Sequence, residues 1–195
     1  MLADTHKIFF ITNNDHKVKE ANRILSPFGI ELIKSNFIKL EIQSKSLKKI
    51  AKYAALFATK RMFKPVIVED SGLFIKALKG FPGPFSSYVY DKLGCEGILK
   101  LMNDINDRTA LFKCVVSFCQ PNSKPIIFEG IVYGEISFEI RGNSGFGFDP
   151  IFIPKFGNGL TFSEMPPEDK DRLSHRGKAF RKFGEWYISN ILNLK

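Results

Sequence analysis

In the first third of the chain, the spacing of hydrophobic and polar positions switches between that of a strand and that of a helix. This pattern predicts the order strand–helix–strand–helix–strand. The short runs Lys7–Ile11, Ile30–Ile33 and Val66–Val68 predict buried strands, because β-branched and aromatic residues dominate them. Between these runs, apolar residues recur with the helical period. They predict one helix over 17–25 and a second that begins after a cap at Ser46. This alternation is typical of an α/β fold with a largely parallel sheet.

The second half of the chain is richer in strand-like runs and in glycine and proline loops. Gly80–Pro84 and Gly142–Phe148 predict loops, because both contain several residues that interrupt regular structure. A short helix is predicted around 96–102. Three runs with short turns between them predict antiparallel strands, and these runs are 110–118, 126–132 and 135–140.

The last helix is predicted to begin near His175, with Ser174 as its cap and an apolar face that points inward. That face contains Phe180, Phe183, Tyr187, Ile191 and Leu192. Together, the elements predict a single α/β domain over residues 1–195. We expect two lobes on a central mixed β-sheet flanked by helices, with an active-site cleft between the lobes.

Composition narrows the class of protein. Of the 195 residues, 44% are hydrophobic and 25% are charged, which is ordinary for a soluble globular protein. The cysteines Cys95, Cys114 and Cys119 are widely spaced, which argues against a disulfide framework and against a thiolate metal site. The apolar run Ile8–Ile11 is too short for a signal peptide or a membrane span. We therefore expect a soluble, cytoplasmic protein without a membrane partner.

The net charge of +9 is compatible with more than one class of anionic partner. A basic surface suits nucleic acid, but it suits a small polyphosphate equally well. Part of the excess lies in residues 42–68, which lack acidic residues and which most simply form a solvated basic helix face. The basic residues there are Lys45, Lys48, Lys49, Lys52, Lys60, Arg61 and Lys64. They form no recognisable nucleic-acid-binding motif, so we expect no nucleic-acid partner.

Adjacent carboxylates, Glu69 and Asp70, follow the predicted strand Val66–Val68. Acidic groups at the end of a buried strand suit the ligand cleft of an α/β sheet, and like charges side by side need a compensating cation. Glu41 adds another carboxylate. Mg²⁺ is held by one or two carboxylates plus phosphate oxygens, and a further carboxylate can accept a proton from an attacking water. We expect the Ser71–Gly72 pair to turn the chain past a ligand.

Polar residues between the first strand and the first helix form a second candidate site. Thr12, Asn14 and Lys17 lie where a helix N-terminus offers backbone N–H groups and a partial positive charge to a phosphate. A simple polar helix cap would use the same residues, and the pattern alone does not separate the two interpretations.

Two later segments also contain candidate ligand-binding residues. In Gly145–Pro150, glycines beside an aromatic residue let a flat ligand approach, although a glycine-rich turn with core phenylalanines fits equally well. In Lys170–Gly177, lysine, histidine and arginine at a helix start are placed to donate to a phosphate or a carbonyl oxygen. A cation at a helix N-terminus opposes the helix dipole, which favours a functional role for His175 and Arg176.

These segments, in this order, resemble the inosine triphosphate pyrophosphatase family, the enzymes that cleave non-canonical purine nucleoside triphosphates. The resemblance extends from Ile8 to about Trp186. It is carried by the stretches EDSGLFIKALKGFPGPFSSYV, GFGFDPIF, TFSEM and KDRLSHRGKA, and the stretches EIQ and EGILKLM are most similar to archaeal members.

The resemblance implies a Mg²⁺-dependent homodimeric hydrolase that converts ITP, dITP and XTP into the monophosphate and pyrophosphate. It implies that Glu41 and Asp70 hold Mg²⁺ and that Asp70 is the general base. The substrate contacts that it implies are Thr12, Asn14, Lys17, Ser71, Phe146, Gly147, Phe148, Asp149, Lys170, His175 and Arg176. Among these, Phe146 matches the aromatic that stacks on the base, and His175 and Arg176 match residues that read the purine 6-oxo group. The chain departs from many members at Phe57, where we align a lysine of the second helix.

Donors that face a 6-oxo group would meet another donor in adenine, and such a site rejects the mismatched base by about 10⁴-fold or more. How guanine is excluded does not follow from these residues. The rival interpretations are a nucleotide phosphohydrolase of other base or bond specificity and a nucleic-acid-binding domain.

Overall fold

The computed structural model describes residues 6–192. The strands within this range are β1 (His6–Ile11), β2 (Ile30–Ser35), β3 (Val66–Ile75), β4 (Thr109–Cys119), β5 (Ile126–Ile136) and β6 (Phe152–Pro154). The α-helices are α1 (Asp15–Leu25), α2 (Leu47–Met62), α3 (Ser86–Leu101), α4 (Pro167–Leu173) and α5 (His175–Tyr187), and α5 continues into a π-helical turn, Ile188–Leu192.

The described strands form a sheet in the order β2-β1-β3-β4-β5-β6. β1 pairs in parallel with β2 and β3, whereas β5 and β6 are antiparallel. The predicted α/β fold with a mixed sheet and flanking helices is therefore confirmed. The described chain divides into two compact units, which we call unit 1 (residues up to Asp70, 114–130 and from Arg176 onward) and unit 2 (71–113 and 131–175). The cleft between lobes stays a prediction.

Unit 1 has an aromatic core that includes the predicted inner face of α5. Phe180 contacts Phe10 edge-on with ring centroids 5.9 Å apart, and Phe183 lies 5.4 Å from Phe118. Tyr187 is buried in the same cluster, and Ile191 and Leu192 pack against it. The predicted inward face of the last helix is confirmed, and it anchors the C-terminal helix to the sheet.

Unit 2 has a separate hydrophobic core. Phe112 on β4 lies 4.8 Å from Phe152 on β6 between ring centroids, and Phe162 packs against both rings. Ile75 on β3 and Ile98 on α3 are fully buried in the same cluster. Each unit therefore has an aromatic core of its own to hold its functional side chains in place.

The prediction that a strand ends at Val68 is wrong, because β3 continues through Glu69 and Asp70 to Ile75. Ser71 and Gly72 are therefore extended and do not turn the chain. A Cβ atom on Gly72 would lie 2.2 Å from the carbonyl oxygen of Gly83, so only glycine fits at this point of the strand. The acidic residues obscured the strand because their charges break the hydrophobic run from which it was predicted.

The prediction of a strand over 135–140 is also wrong, because β5 is one continuous strand that ends at Ile136. Beyond it, the Arg108 guanidinium donates to the carbonyl oxygens of Ile136 and Ser137 at 2.8 and 2.5 Å. The Ser137 hydroxyl donates to the carbonyl of Glu139 at 2.5 Å. These side-chain hydrogen bonds replace the strand pairing and bend the chain.

The predicted helix over 96–102 begins earlier, at Ser86, and is interrupted at Gly94, whose φ is 61°. α4 and β6 were not predicted, because both are too short to show a clear hydrophobic period. The loop prediction over 142–148 is confirmed. Within residues 6–192, every helix falls short of the length and hydrophobicity needed to cross a membrane.

Candidate active site

The loop between β1 and α1 positions a lysine. Asn14 is the N-cap of α1: its Oδ1 accepts from the Lys17 backbone N–H at 3.1 Å, and its own N–H donates to Thr12 Oγ1 at 3.2 Å. The Lys17 ammonium lies 2.7 Å from Glu69 Oε2. The polar-cap interpretation is therefore right for Asn14, and the cap fixes the helix start from which Lys17 reaches the sheet.

Glu69 belongs to a buried ion-pair network in unit 1. Arg176 at the start of α5 donates to Glu20 Oε2 at 2.7 Å and to Glu69 Oε1 at 3.2 Å, and all three side chains are at least nine-tenths buried. Cys114 donates from Sγ to Glu69 Oε1 at 3.3 Å. Although burial disfavours its charge, Glu69 and Glu20 raise the pKa of Arg176 above its ordinary value. The network thus runs from Glu20 through Arg176 and Glu69 to Lys17.

A second cluster surrounds Asp70. The ammonium of Lys39 lies 2.5 Å from Glu41 Oε1 and 3.6 Å from Asp70 Oδ1. The other carboxylate oxygen of Asp70, Oδ2, is buried and has no hydrogen-bond partner within residues 6–192. Sequence reasoning missed Lys39, because it lies in the irregular segment 36–46 and carries no periodic signal. The only hint was its place two residues before Glu41.

The adjacent carboxylates differ in their nearest cations. Successive side chains of a strand point to opposite faces, and the contacts follow this alternation. Glu69 pairs with Lys17 and Arg176, whereas Asp70 faces Lys39. Each carboxylate therefore has its own nearest cation, although the charge of Glu69 still raises the pKa of Asp70.

The pKa of Asp70 is raised to about 6, first because burial disfavours the charged carboxylate. The charges of Lys39 and Lys17 oppose this rise, while those of Glu69 and Glu41 add to it. A carboxyl group with a pKa of about 6 retains affinity for a proton and is mostly ionised at pH 7, which suits a general base.

This raised pKa predicts a pH-dependent stability. In the unfolded chain the pKa of Asp70 is near 3.8, so between 3.8 and about 6 only the folded protein keeps the proton. The stabilisation is complete below pH 3.8 and is lost as the pH rises through 6, by about 3 kcal/mol in all. In urea unfolding with EDTA present, wild type should lose this much stability relative to Asp70→Asn between pH 4 and about pH 7.

Asp107→Asn is the control for this titration. Hydrogen bonds with Thr109 and Lys76 lower the pKa of Asp107 to about 2, so this group stays ionised across the measured range. The stability difference between wild type and Asp107→Asn should therefore be flat above about pH 4. A stability difference between wild type and Asp70→Asn that is also independent of pH would show that burial does not raise the pKa of Asp70.

In unit 2, Asp149 organises the predicted base-binding loop. Its Oδ2 accepts from the Phe146 backbone N–H at 2.8 Å and from the Lys170 ammonium at 2.6 Å. The Lys170 ammonium also lies 5.0 Å from the centre of the Phe146 ring. A Cβ on Gly145 would come within 2.4 Å of the same Asp149 oxygen, and Gly145 has a φ of 76°. These contacts fix the half-buried Phe146 ring.

The remaining predicted contacts in unit 2 have different surroundings. Phe148 is buried against Tyr90, with ring centroids 5.3 Å apart, and the Gly147 carbonyl accepts from Cys95 Sγ at 3.5 Å. Phe148 is thus a core residue, as the glycine-rich-turn alternative predicts. The His175 ring stacks on Phe112 at 4.6 Å with an angle of 8° between the planes. Ser71 on β3 is half-buried.

The two residues that are predicted to contact the purine 6-oxo group belong to different units. His175 belongs to unit 2, whereas Arg176 belongs to unit 1 and binds Glu20 and Glu69. We expected a cation at this helix start to need a ligand that accepts hydrogen bonds. The carboxylates of Glu20 and Glu69 already fill that role. Reading of the purine by Arg176 stays a prediction.

The basic residues of α2 lie on an exposed face of the helix, as the simplest interpretation of the sequence predicts. Its apolar face is buried, and Ser46 caps it by accepting from the Lys49 N–H at 3.3 Å. Lys48 pairs with Glu129 at 2.7 Å. Phe57 is the residue that we align with a lysine of the second helix in many family members. The Arg61 guanidinium lies over it, 5.3 Å from the centre of the Phe57 ring.

The predicted metal ligands fit a hard divalent cation. Glu41 and Asp70 converge on one positively charged group, the Lys39 ammonium, so both carboxylates face a common point that accepts a cation. Carboxylate oxygens are the ligands that Mg²⁺ prefers, with substrate phosphates completing the coordination.

Comparison with known proteins assigns these features to a family. The sequence matches the profile of the Ham1 family over residues 8–186, which is nearly the whole chain. The chain belongs to the Ham1 family. The resemblance drawn from the motifs is confirmed over the same span.

Ham1 relatives align over almost their full length. The chain is 49% identical over 185 residues to a dITP/XTP pyrophosphatase of Methanopyrus kandleri, covering 95% of this chain and 98% of that one. It is 48% identical to a dITP/XTP pyrophosphatase of Pyrococcus horikoshii, with coverage of 95% and 98%. A solved structure of a HAM1 protein from Coxiella burnetii superposes with a TM-score of 0.82 at 31% identity, covering 94% of this chain and 99% of that one.

Proposed function

We propose that this Ham1 protein hydrolyses the non-canonical purine nucleotides dITP, XTP and ITP to the monophosphate and pyrophosphate. The observation that carries the proposal is the 49% identity over 95% of the chain to a dITP/XTP pyrophosphatase. The clusters around Glu69 and Asp70 supply groups suited to this reaction, namely cations for phosphate and a carboxylate with a raised pKa.

Asp70 is the general base of the proposed reaction. Its Oδ2 has no hydrogen-bond partner within the described range, so it is placed to accept one from water. Asp70 takes a proton from that water as the water oxygen bonds to the α-phosphorus. The bond between the α-phosphorus and the bridging oxygen breaks, and pyrophosphate leaves with the electron pair.

Phosphate binding is proposed for Thr12, Asn14 and Lys17. Lys17 lies in the first turn of the capped helix α1, where the helix dipole favours an anion. Glu41 and Asp70 would hold Mg²⁺, which when bound stabilises negative charge on the phosphate oxygens.

Base recognition is proposed for the set of residues that the family resemblance implies. Phe146 is fixed by Asp149 and presents an aromatic ring suited to stacking on a purine. Lys170 and His175 are nearby donors in the sequence motif, and Arg176 and Ser71 complete the implied set. Their N–H groups would donate to a 6-oxo group but would face another donor in the 6-amino group of adenine, which favours inosine and xanthosine nucleotides.

The first test is product formation from dITP, XTP, ITP, ATP and GTP with Mg²⁺, with pyrophosphate and orthophosphate measured separately. We expect pyrophosphate from dITP and XTP, a kcat/KM for ATP lower by about 10⁴-fold, and no release in EDTA. Orthophosphate as the product, or equal rates for ATP, would indicate a phosphohydrolase of other bond or base specificity. No hydrolysis, together with nucleic-acid binding that collapses with salt, would favour the nucleic-acid alternative.

We also propose a cytoplasmic homodimer, on the strength of the family resemblance alone. Light scattering coupled to gel filtration tests the oligomeric state: a mass near twice 22.2 kDa supports a dimer, and a mass near 22.2 kDa contradicts it.

A further inference from the structure

We propose that Lys39 is the resident counter-ion of the candidate metal site and that it competes with the divalent cation for Glu41 and Asp70. The inference rests on the proposed function, because it takes Glu41 and Asp70 as the metal ligands. It adds a residue that regulates when the metal binds.

The contacts of Lys39 place its charge at the point where the two carboxylates converge. Its ammonium is 2.5 Å from Glu41 Oε1 and 3.6 Å from Asp70 Oδ1. The side chain of Lys39 is only 16% exposed and that of Asp70 only 12% exposed, so solvent screens this interaction weakly. Two carboxylates, one of them buried, repel each other unless a cation lies between them, and Lys39 supplies that cation.

A divalent cation bound to the same oxygens cannot coexist with the ammonium in its present position. Like charges a few ångströms apart repel strongly beside the buried Asp70, and a metal that bridges Glu41 and Asp70 would use the oxygens that converge on Lys39. Binding of the metal therefore requires Lys39 to move. A lysine can do so without refolding of the backbone, because its four-carbon stem is flexible.

Displacement of Lys39 links metal binding to substrate binding. In the absence of a nucleotide, the displaced ammonium has lost its carboxylate partners, so the free protein binds metal weakly. When a triphosphate is present, its oxygens offer the displaced ammonium a new charged partner. Metal and triphosphate then favour each other's binding by the same factor, as linkage requires.

The test is the affinity of the nucleotide-free protein for Mn²⁺, measured by isothermal titration calorimetry at pH 8 for wild type and Lys39→Met. We expect the variant to bind Mn²⁺ at least about fivefold more tightly, because no resident cation competes. Lys34→Met is the matched control: Lys34 pairs with Asp15 at 2.6 Å, so its loss should leave Mn²⁺ affinity unchanged. Unchanged or weaker Mn²⁺ binding by Lys39→Met would overturn the proposal.

A second measurement on wild type needs no variant at the site. Displacement should make Lys39 more accessible, so acetylation by an N-hydroxysuccinimide ester, followed by mass spectrometry, should speed up at Lys39 when Mn²⁺ is added. The rate at Lys34 should not change, and an unchanged rate at Lys39 would contradict the inference. Both measurements are made without nucleotide, so failure of the proposed hydrolysis would be seen separately as no pyrophosphate from dITP in wild type.

Discussion

Asp70→Asn is expected to lower kcat/KM for pyrophosphate release from dITP by roughly 10³-fold. Asparagine keeps the size of the side chain but cannot accept and hold a proton from the attacking water. It also replaces one of the two carboxylates that face Lys39. The measurement is steady-state pyrophosphate release at saturating Mg²⁺, with circular dichroism to show that the variant folds.

The control for this variant is Asp107→Asn, which changes the same residue type at an exposed position paired with Lys76. We expect its kcat/KM to match wild type. Activity of Asp70→Asn within about tenfold of wild type would remove the general-base assignment and leave Asp70 with at most a metal-binding role.

Arg176→Met is expected to give the largest loss of stability. The guanidinium contacts Glu20 at 2.7 Å and Glu69 at 3.2 Å, and these side chains are buried. Removing one partner of a buried ion pair leaves uncompensated charge inside the protein and typically costs about 3–5 kcal/mol. The free energy of unfolding from urea denaturation, extrapolated to water, measures this loss.

A nearby arginine provides the comparison. Arg172 pairs with Asp169 at 3.0 Å, but both side chains are more than half exposed, so Arg172→Met should cost less than about 1 kcal/mol. Adding Glu20→Gln to Arg176→Met should restore part of the loss, because it removes a buried charge left without its partner. A loss below about 1 kcal/mol for Arg176→Met would show that the network contributes nothing to folding.

The elements with regular hydrophobic spacing were predictable from the sequence, and those that depend on distant partners were not. α2 and its Ser46 cap follow from the period of the apolar residues and from local capping chemistry. β3 was predicted too short, because charged Glu69 and Asp70 are tolerated inside a strand only when cations from other elements reach them. The end of β5 depends on the Arg108 side chain, which competes for the backbone carbonyls.

The candidate site shows the same division. The motifs identified Lys17, Asp70 and Lys170 by type and order, and the structure gives each a charged partner. The sequence did not identify Glu20 as the partner of Arg176, because 156 residues separate them. Lys39 lies in a segment without regular structure, where the spacing of residues does not indicate which way a side chain points.

The opposite directions of Glu69 and Asp70 on β3 have an evolutionary consequence. Consecutive codons specify side chains with different nearest charged partners, so selection acts on each with a different set of distant positions. Across relatives, residue 69 should covary with positions 17, 20 and 176, and residue 70 with positions 39 and 41. A lineage could then remodel the surroundings of Asp70 while its buried arginine network stays unchanged, although the two acidic residues are joined by a single peptide bond.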